Sequence, residues 1–374
     1  LSAKFIGRDI LRQRAALIER EASASARVSR IMNRVLKEWR ADSRRLLRIN
    51  TPTSQAELRR RQDIAANYAR ATAKAAASSQ ETTINMAGRV YATELAKYSR
   101  LVSQTLTTST GVTGNLSISF SGVSERQVAA AIVYRLPGTS RGEPFATIGS
   151  AAELHAREAV AQSIADNSGL DNLAKQLQKI AGVSTNSAKS LARTSIMAAS
   201  NTAASVVYRR TPTVVALRWN ATYDSRTCSL CASRHGMIFR KGDEPPIPAH
   251  INCRCVYIPI FQDADLNSAI AANELPDSIA PDSGAFSDWL LGESDETRAD
   301  FFPSILKRAI FELRIRKLEE LVTPEGSAIT DAEILGTITN AEYNRIRNRV
   351  MAITGQPWGQ PRPVRVSIPP RRER

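Results

Sequence analysis

Asp224-Ser-Arg-Thr-Cys-Ser-Leu-Cys231 and His250-Ile-Asn-Cys-Arg-Cys255 decide how this chain is read, because they hold every cysteine it has. Four cysteines in 374 residues fall within 28 positions, as a C-x2-C pair and a C-x-C pair. Cysteines used only as small core residues would be scattered, whereas thiolates paired across a loop are what a tetrahedral metal site needs. Gly236, Gly242, Pro245, Pro246 and Pro248 punctuate the residues between the pairs, so a loop rather than a long helix is expected there. The β-branched run Val214 to Trp219 reads as a strand leading into the first pair, and Val256-Tyr-Ile-Pro-Ile as a strand leaving the second. Structural zinc would staple the two strand ends and contribute folding free energy directly.

The ligand set stays open between Cys228, Cys231, Cys253 and Cys255 together, or His250 in place of one of the last two. Four thiolates on Zn²⁺ leave a net charge of about −2, and one histidine substitution leaves about −1. Arg226, Arg234 and Arg254 stand beside these residues and would neutralise either version. A disulfide and plain thiols are the competing readings. The segment Leu1 to Arg14 lacks an uninterrupted apolar core of the secretory kind, which favours a reducing compartment and so the metal. No run reaches the roughly 18 to 20 apolar residues that span a bilayer, so a soluble chain without a membrane partner is expected.

Outward from the cysteines the chain reads as helical. Val28, Ile31, Met32, Val35, Leu36 and Trp39 recur at helical spacing and make one apolar face, with Arg27, Arg30, Arg34 and Lys37 mostly off it. Asn50-Thr-Pro-Thr breaks this pattern, and a second long helix follows from about Gln55 to Leu106. Leu116, Ile118 and Phe120 alternate with serines as a short strand would, and Ser124-Glu-Arg-Gln127 is a capping box opening a helix to about Arg135. Three helical patterns run from Ser150 to Arg210, with breaks at Asn167-Ser-Gly and Gly182-Val-Ser. The third carries Ala188, Leu191, Ala192, Ile196, Ala199 and Ala203 on one face, small enough to admit another backbone.

The expected fold is mainly α with a small α+β zinc-stapled module, extended N-terminal helices and a helical C-terminal region. The expected divisions are 1–106 long helices, 107–149 a small strand and helix segment, 150–260 the cysteine module with its helices, 261–284 a linker, 285–355 a helical region, and 356–374 a basic tail. That tail interleaves five prolines with Arg362, Arg365, Arg371, Arg372 and Arg374, which cannot bury a core but offer contacts to DNA or a partner. A net charge of +15 and 6% aromatic residues fit a thinly packed helical protein beside a polyanion, most commonly nucleic acid.

Phosphate-binding, dinucleotide-binding, zinc-protease and serine-hydrolase motifs are all missing. The only histidines are His155, read as structural or exposed, His235, read as a turn residue, and His250. A metal-dependent nuclease built on His250, with Asp224, Asp243 or Glu244 as carboxylates, would want a further catalytic histidine, and none follows His250. No catalytic residue and no small-molecule substrate are therefore assigned.

The run Ala192-Arg-Thr194, Asn201, Tyr208, Trp219, Asp224-Ser-Arg-Thr-Cys-Ser-Leu-Cys231, His235-Gly236 and His250-Ile-Asn-Cys-Arg-Cys255 resembles the head-morphogenesis domain of tailed-phage minor head proteins, the Mu F-like family. Ile251 departs from it, standing where the family usually has proline. The resemblance runs from Ala192 to Cys255, and the cysteine blocks are its specific part. It implies a minor capsid protein in the virion, in the inner head near the portal, and in the host cytoplasm during assembly. Its implied partners are the portal protein, the major capsid protein and packaged double-stranded DNA, bound without sequence preference. The alternative is a metal-dependent nuclease or toxin-like DNA-processing enzyme carried in the head.

Overall fold

The computed structural model describes residues 2–47, 54–110, 124–137, 144–166, 168, 170–262, 283–302, 304–322, 329–356 and 358. The strand expected at Leu116–Phe120 and the tail arginines Arg362, Arg365, Arg371, Arg372 and Arg374 lie outside these residues, as does most of the linker expected at 261–284. The described chain is mainly helical, with one three-stranded sheet. Among the described residues no helix is long and apolar enough to cross a membrane.

Two compact units divide the chain, Leu1–Ala216 with Arg240–Phe261, and Leu217–Phe239 with Gln262–Arg374. The first unit is built on α1 (Ser2–Leu47), α2 (Ser54–Thr110), α3 (Glu125–Val133), α4 (Ala146–Ala165) and α5 (Leu170–Arg210). The stripe read from α1 does face inward: Val28, Met32, Leu36 and Trp39 are buried, and Leu36 and Trp39 join Ile64 and Tyr68 of α2, Ala156 and Val160 of α4, and Leu173 and Leu177 of α5 in one core. Trp39 meets Tyr68 edge to face at 5.1 Å and donates its indole N–H to the Ile64 carbonyl at 3.4 Å. Small residues set how near the helices come. A Cβ added to Gly149 of α4 would stand 3.1 Å from both Cα and Cβ of Ala73 on α2.

Two buried charges in this unit, Arg61 and Glu94, are matched. Arg61 of α2 donates to the Ser163 carbonyl and hydroxyl near the end of α4 at 3.0 and 2.9 Å, and pairs with Glu57 at 2.5 Å. Glu94 of α2, 1% exposed, is held by Arg20 of α1 at 2.7 Å and by Lys97 at 3.0 Å. Burial pushes the Tyr98 hydroxyl up to about 12, where it packs against Tyr208 of α5 with ring centroids 5.8 Å apart.

The capping box at Ser124 and Gln127 is present, and α4 ends before Asn167 as read. The break expected at Gly182-Val-Ser does not occur; α5 runs through it unbroken for 41 residues. A glycine inside a helix costs only about 1 kcal/mol relative to alanine. Buried Leu177 and Ala181 before it and Ala188 after it hold the helix on both sides. The apolar stripe on α5, from Ala188 to Ala203, is buried along its whole length.

β1 (Val214–Asn220), β2 (Ile238–Arg240) and β3 (Val256–Phe261) form the sheet in the order β2-β1-β3. β2 is three residues long and carried no alternation to reveal it. Trp219 pairs with Met237 and Val215 with Lys241, so β1 and β2 are antiparallel.

The second unit holds α6 (Ser229–Ser233), then α7 (Ser283–Gly292), α8 (Asp295–Phe301), α9 (Ile305–Glu312), a 3-10 turn (Leu318–Leu321), α10 (Asp331–Thr337) and α11 (Asn340–Thr354). The helical C-terminal region is thus a set of short helices. Caps at Ser294, Ser304, Thr330 and Thr339 start four of them. At its centre Glu312 accepts from Arg298, Arg308 and Arg349 at 2.9, 2.8 and 2.7 Å.

Candidate metal centre

Trp219, next to the last residue of β1, is fully buried and exchanges backbone hydrogen bonds with the Gly236–Met237 turn at 2.8 and 2.9 Å. Gly236 has φ 81°, a conformation that favours glycine. The Arg234 guanidinium lies 5.3 Å over the Trp219 ring. Asp224 folds the approach to the first cysteine back on itself: its carboxylate accepts from the Arg226 amide at 3.1 Å and the Thr227 hydroxyl at 3.3 Å. That hydroxyl also donates to the Thr222 carbonyl at 2.6 Å. Cys228 then caps α6, its Sγ accepting from the Cys231 amide at 3.4 Å.

The second block is set by α5. Asn252 turns the chain with φ 64°, which asparagine tolerates better than most residues. Its amide donates to Thr194 Oγ1 at 2.8 Å, while that hydroxyl donates to the Ser190 carbonyl at 2.8 Å. One turn of loop further on, the Asn201 side-chain amide donates to the Cys255 carbonyl at 3.1 Å. Arg14 of α1 donates to the Arg254 carbonyl. These contacts fix the backbone on either side of Cys253 and Cys255, both nearly fully buried.

The sulfurs and one imidazole converge. Cys228, Cys231 and His250 bring ligand atoms within 4.8 Å of one another, and so do Cys231, Cys253 and Cys255. Cys231 belongs to both groups. Thiolates at about 2.3 Å from a tetrahedral zinc stand roughly 3.8 Å apart, so the donor types and spacings fit such an ion with little adjustment. His250 Nδ1 lies 2.8 Å from the Ile251 carbonyl; a proton on that nitrogen leaves Nε2 with its lone pair as the donor. None of the four cysteines is in a disulfide.

His235 is engaged elsewhere. It lies in the turn after α6, as read, and is buried there, accepting from the Ala221 amide on Nδ1 at 3.2 Å with Nε2 2.9 Å from the Tyr223 hydroxyl. Accepting on Nδ1 puts the neutral ring's proton on Nε2, which then donates to Tyr223. His155 is exposed on α4, 3.0 Å from Glu158. Arg226 and Arg234, expected to neutralise the ligands, instead pair with Asp224 at 3.5 Å and lie over Trp219.

The carboxylates weighed for catalysis also have local work. Glu244 pairs with Arg209 at 2.9 Å and accepts from the Gly242 amide at 2.5 Å. Burial pushes its carboxyl up, but those donors outweigh it and hold it below the usual carboxylate range. Neither converging group contains a carboxylate. The arrangement offers soft donors in a buried setting, the chemistry of a structural metal.

Sequence reasoning listed Thr194 and Asn201 only as motif letters and missed Arg14. The signal for the first two was there: both are polar residues buried beside an otherwise apolar helix stripe.

Residues 155–258 match the family model described as Phage Mu protein F like protein. This segment is a Mu F-like domain. It takes in part of α4, the whole of α5, the sheet strands β1 and β2, and all five cysteine and histidine donors. No curated protein and no solved structure matches the chain. The Mu F-like match supports a phage head-morphogenesis protein, and with it a place in the virion.

Proposed function

We propose that this chain is a minor capsid protein of a tailed phage, which associates with the portal and inner head and assists head assembly, DNA packaging or DNA delivery. The observation that carries the reading is the coincidence of the Mu F-like match with the converged cluster of Cys228, Cys231, His250, Cys253 and Cys255. Structural zinc held by four of these five, with Cys231 among them, orders the loop between β1 and β3. The role is structural, since the donor set has no carboxylate beside it and His235 is committed to Ala221 and Tyr223. The portal and major capsid proteins are the protein partners, and packaged duplex DNA is a non-specific one, which the tail arginines Arg362, Arg365, Arg371, Arg372 and Arg374 also reach. The domain plan is 1–106, 107–149, 150–260, 261–284, 285–355 and 356–374, with the Mu F-like module at its centre.

The test is mass spectrometry of purified heads together with co-purification of the tagged chain from infected cells. A few copies per head and recovery of the portal protein are expected. Heads that lack the chain and form, fill and infect normally would overturn the reading, as would duplex cleavage in divalent metal that is lost on His250→Ala.

A further inference from the structure

A row of arginines on the solvent side of α1 has no part in the head-domain match or in the metal cluster. Arg20, Arg27 and Arg34 follow one another at seven-residue intervals, and Arg27 and Arg34 are exposed. Arg20, Ser23 and Arg27 form one wall of a groove of about 260 Å³, and Arg89 and Thr93 of α2 form the other, over a floor that includes Val90. No carboxylate lines the groove among the described residues, and Glu94, which pairs with Arg20, is buried and also held by Lys97. The side chains of Arg27, Arg34 and Arg89 make no hydrogen bond or ion pair with other described residues, so their guanidinium groups stand open to a ligand.

We propose that this α1/α2 groove is a binding site for the phosphodiester backbone of duplex DNA, with Arg27 and Arg89 gripping one phosphate from two sides and Arg34 reaching a second. Several features favour a polyanion strand over a carboxylate-bearing protein. The cations form a line rather than a cluster. Each seven-residue step along α1 is about 10.5 Å, so Arg27 and Arg34 stand too far apart to share one phosphate and would engage two. Guanidinium forks suit phosphate oxygens, and the Ser23 hydroxyl adds a donor beside them. Exposed Glu38, one turn beyond Arg34, ends the row. No base-reading element accompanies the groove, so binding is independent of sequence. The inference does not rest on the head-protein reading; it would hold for a chain of any role, and its failure would leave that reading standing.

The test is fluorescence anisotropy of the full chain with two unrelated labelled duplexes over a range of salt concentrations. The variant replaces Arg27, Arg34 and Arg89 together with alanine. It is expected to weaken binding to both duplexes on the order of tenfold or more, and to lower the slope of log affinity against log salt by about 2, for the two phosphates released. Helicity and melting temperature should not change, because all three side chains are exposed. A chain ending at residue 355 should keep its groove-dependent binding. The proposal is overturned if the triple variant binds as the parent does, if loss of residues 356–374 alone abolishes binding, or if a glutamate polymer displaces DNA as well as unlabelled duplex does.

Discussion

Thr194 Oγ1 accepts the Asn252 backbone N–H at 2.8 Å, so a helix residue 58 positions upstream holds the turn between His250 and Cys253. Thr194→Val keeps the shape and removes the acceptor, leaving the Asn252 amide without it. A loss of about 1 to 3 kcal/mol is expected. Thermal melting should show it, and Thr194→Ser should restore most of the difference; a valine variant as stable as the parent would deny the contact its role.

Cys231 stands in both converging groups, so its loss should cost more metal than loss of any other single donor. Elemental analysis of the purified chain is expected to give about one zinc per chain. Cys231→Ser should lower this furthest, and a strong chelator should reduce the order of residues 214–261 seen by hydrogen exchange. Parent protein purified without any bound metal would remove the staple from the account.

The two histidines of the module should part company. His250→Ala should weaken metal binding, with the remaining thiolates retaining some of it. His235→Ala should leave metal content unchanged and lower the melting temperature, because the Ala221 amide and Tyr223 hydroxyl lose their partner. Equal metal loss in both variants would mean that His235 is a ligand.

Glu312 ties three arginines of the second unit, and its own titration follows from that. Burial raises its carboxyl, but the hydrogen bonds and charges of Arg308 and Arg349 prevail and set it below the ordinary value. A carboxyl depressed in the folded state contributes stability that is present above its unfolded value of about 4.3 and is lost as pH falls through the folded one. Asp295, Glu333 and Glu342 are depressed as well and act in the same direction. Melting of the C-terminal helices should therefore shift downward below about pH 4.5, and less steeply in Glu312→Gln, which should itself be destabilised at pH 7.

Gly149→Ala tests the thin packing of the first unit. The new methyl would meet Ala73 Cα, which can retreat only if α2 moves, so a cost of about 1 to 3 kcal/mol is expected from chemical denaturation. Gly182→Ala meets open space and should stabilise α5 by up to about 1 kcal/mol.

Much of this architecture could be read from the chain because its local signals agree. The α1 stripe, the Ser124 capping box, β1, β3 and the convergence of the cysteine blocks all rest on spacing and residue type within a short window. What escaped depends on partners far along the chain. Nothing local marks Arg14 as a donor to the Arg254 carbonyl, or Ile238-Phe239-Arg240 as a strand before β1 is there to pair with it. Gly182 misled for the same reason, since its break signal is weaker than the burial of Leu177, Ala181 and Ala188 around it. Arg226 and Arg234 were placed beside the metal by proximity in sequence, and chemistry nearer at hand claimed them.

α5 is one unbroken helix of 41 residues, about 60 Å long. Leu173 and Leu177 seat one end in the helical core, while Thr194 and Asn201 carry the cysteine loop toward the other. Both attachments share one axis, so they share one register. A slip of a single residue would turn Thr194 and Asn201 by about 100° and take both away from the loop together. The helix therefore works as a gauge rod: the bundle and the loop of Cys253 and Cys255 take their seating from the same register.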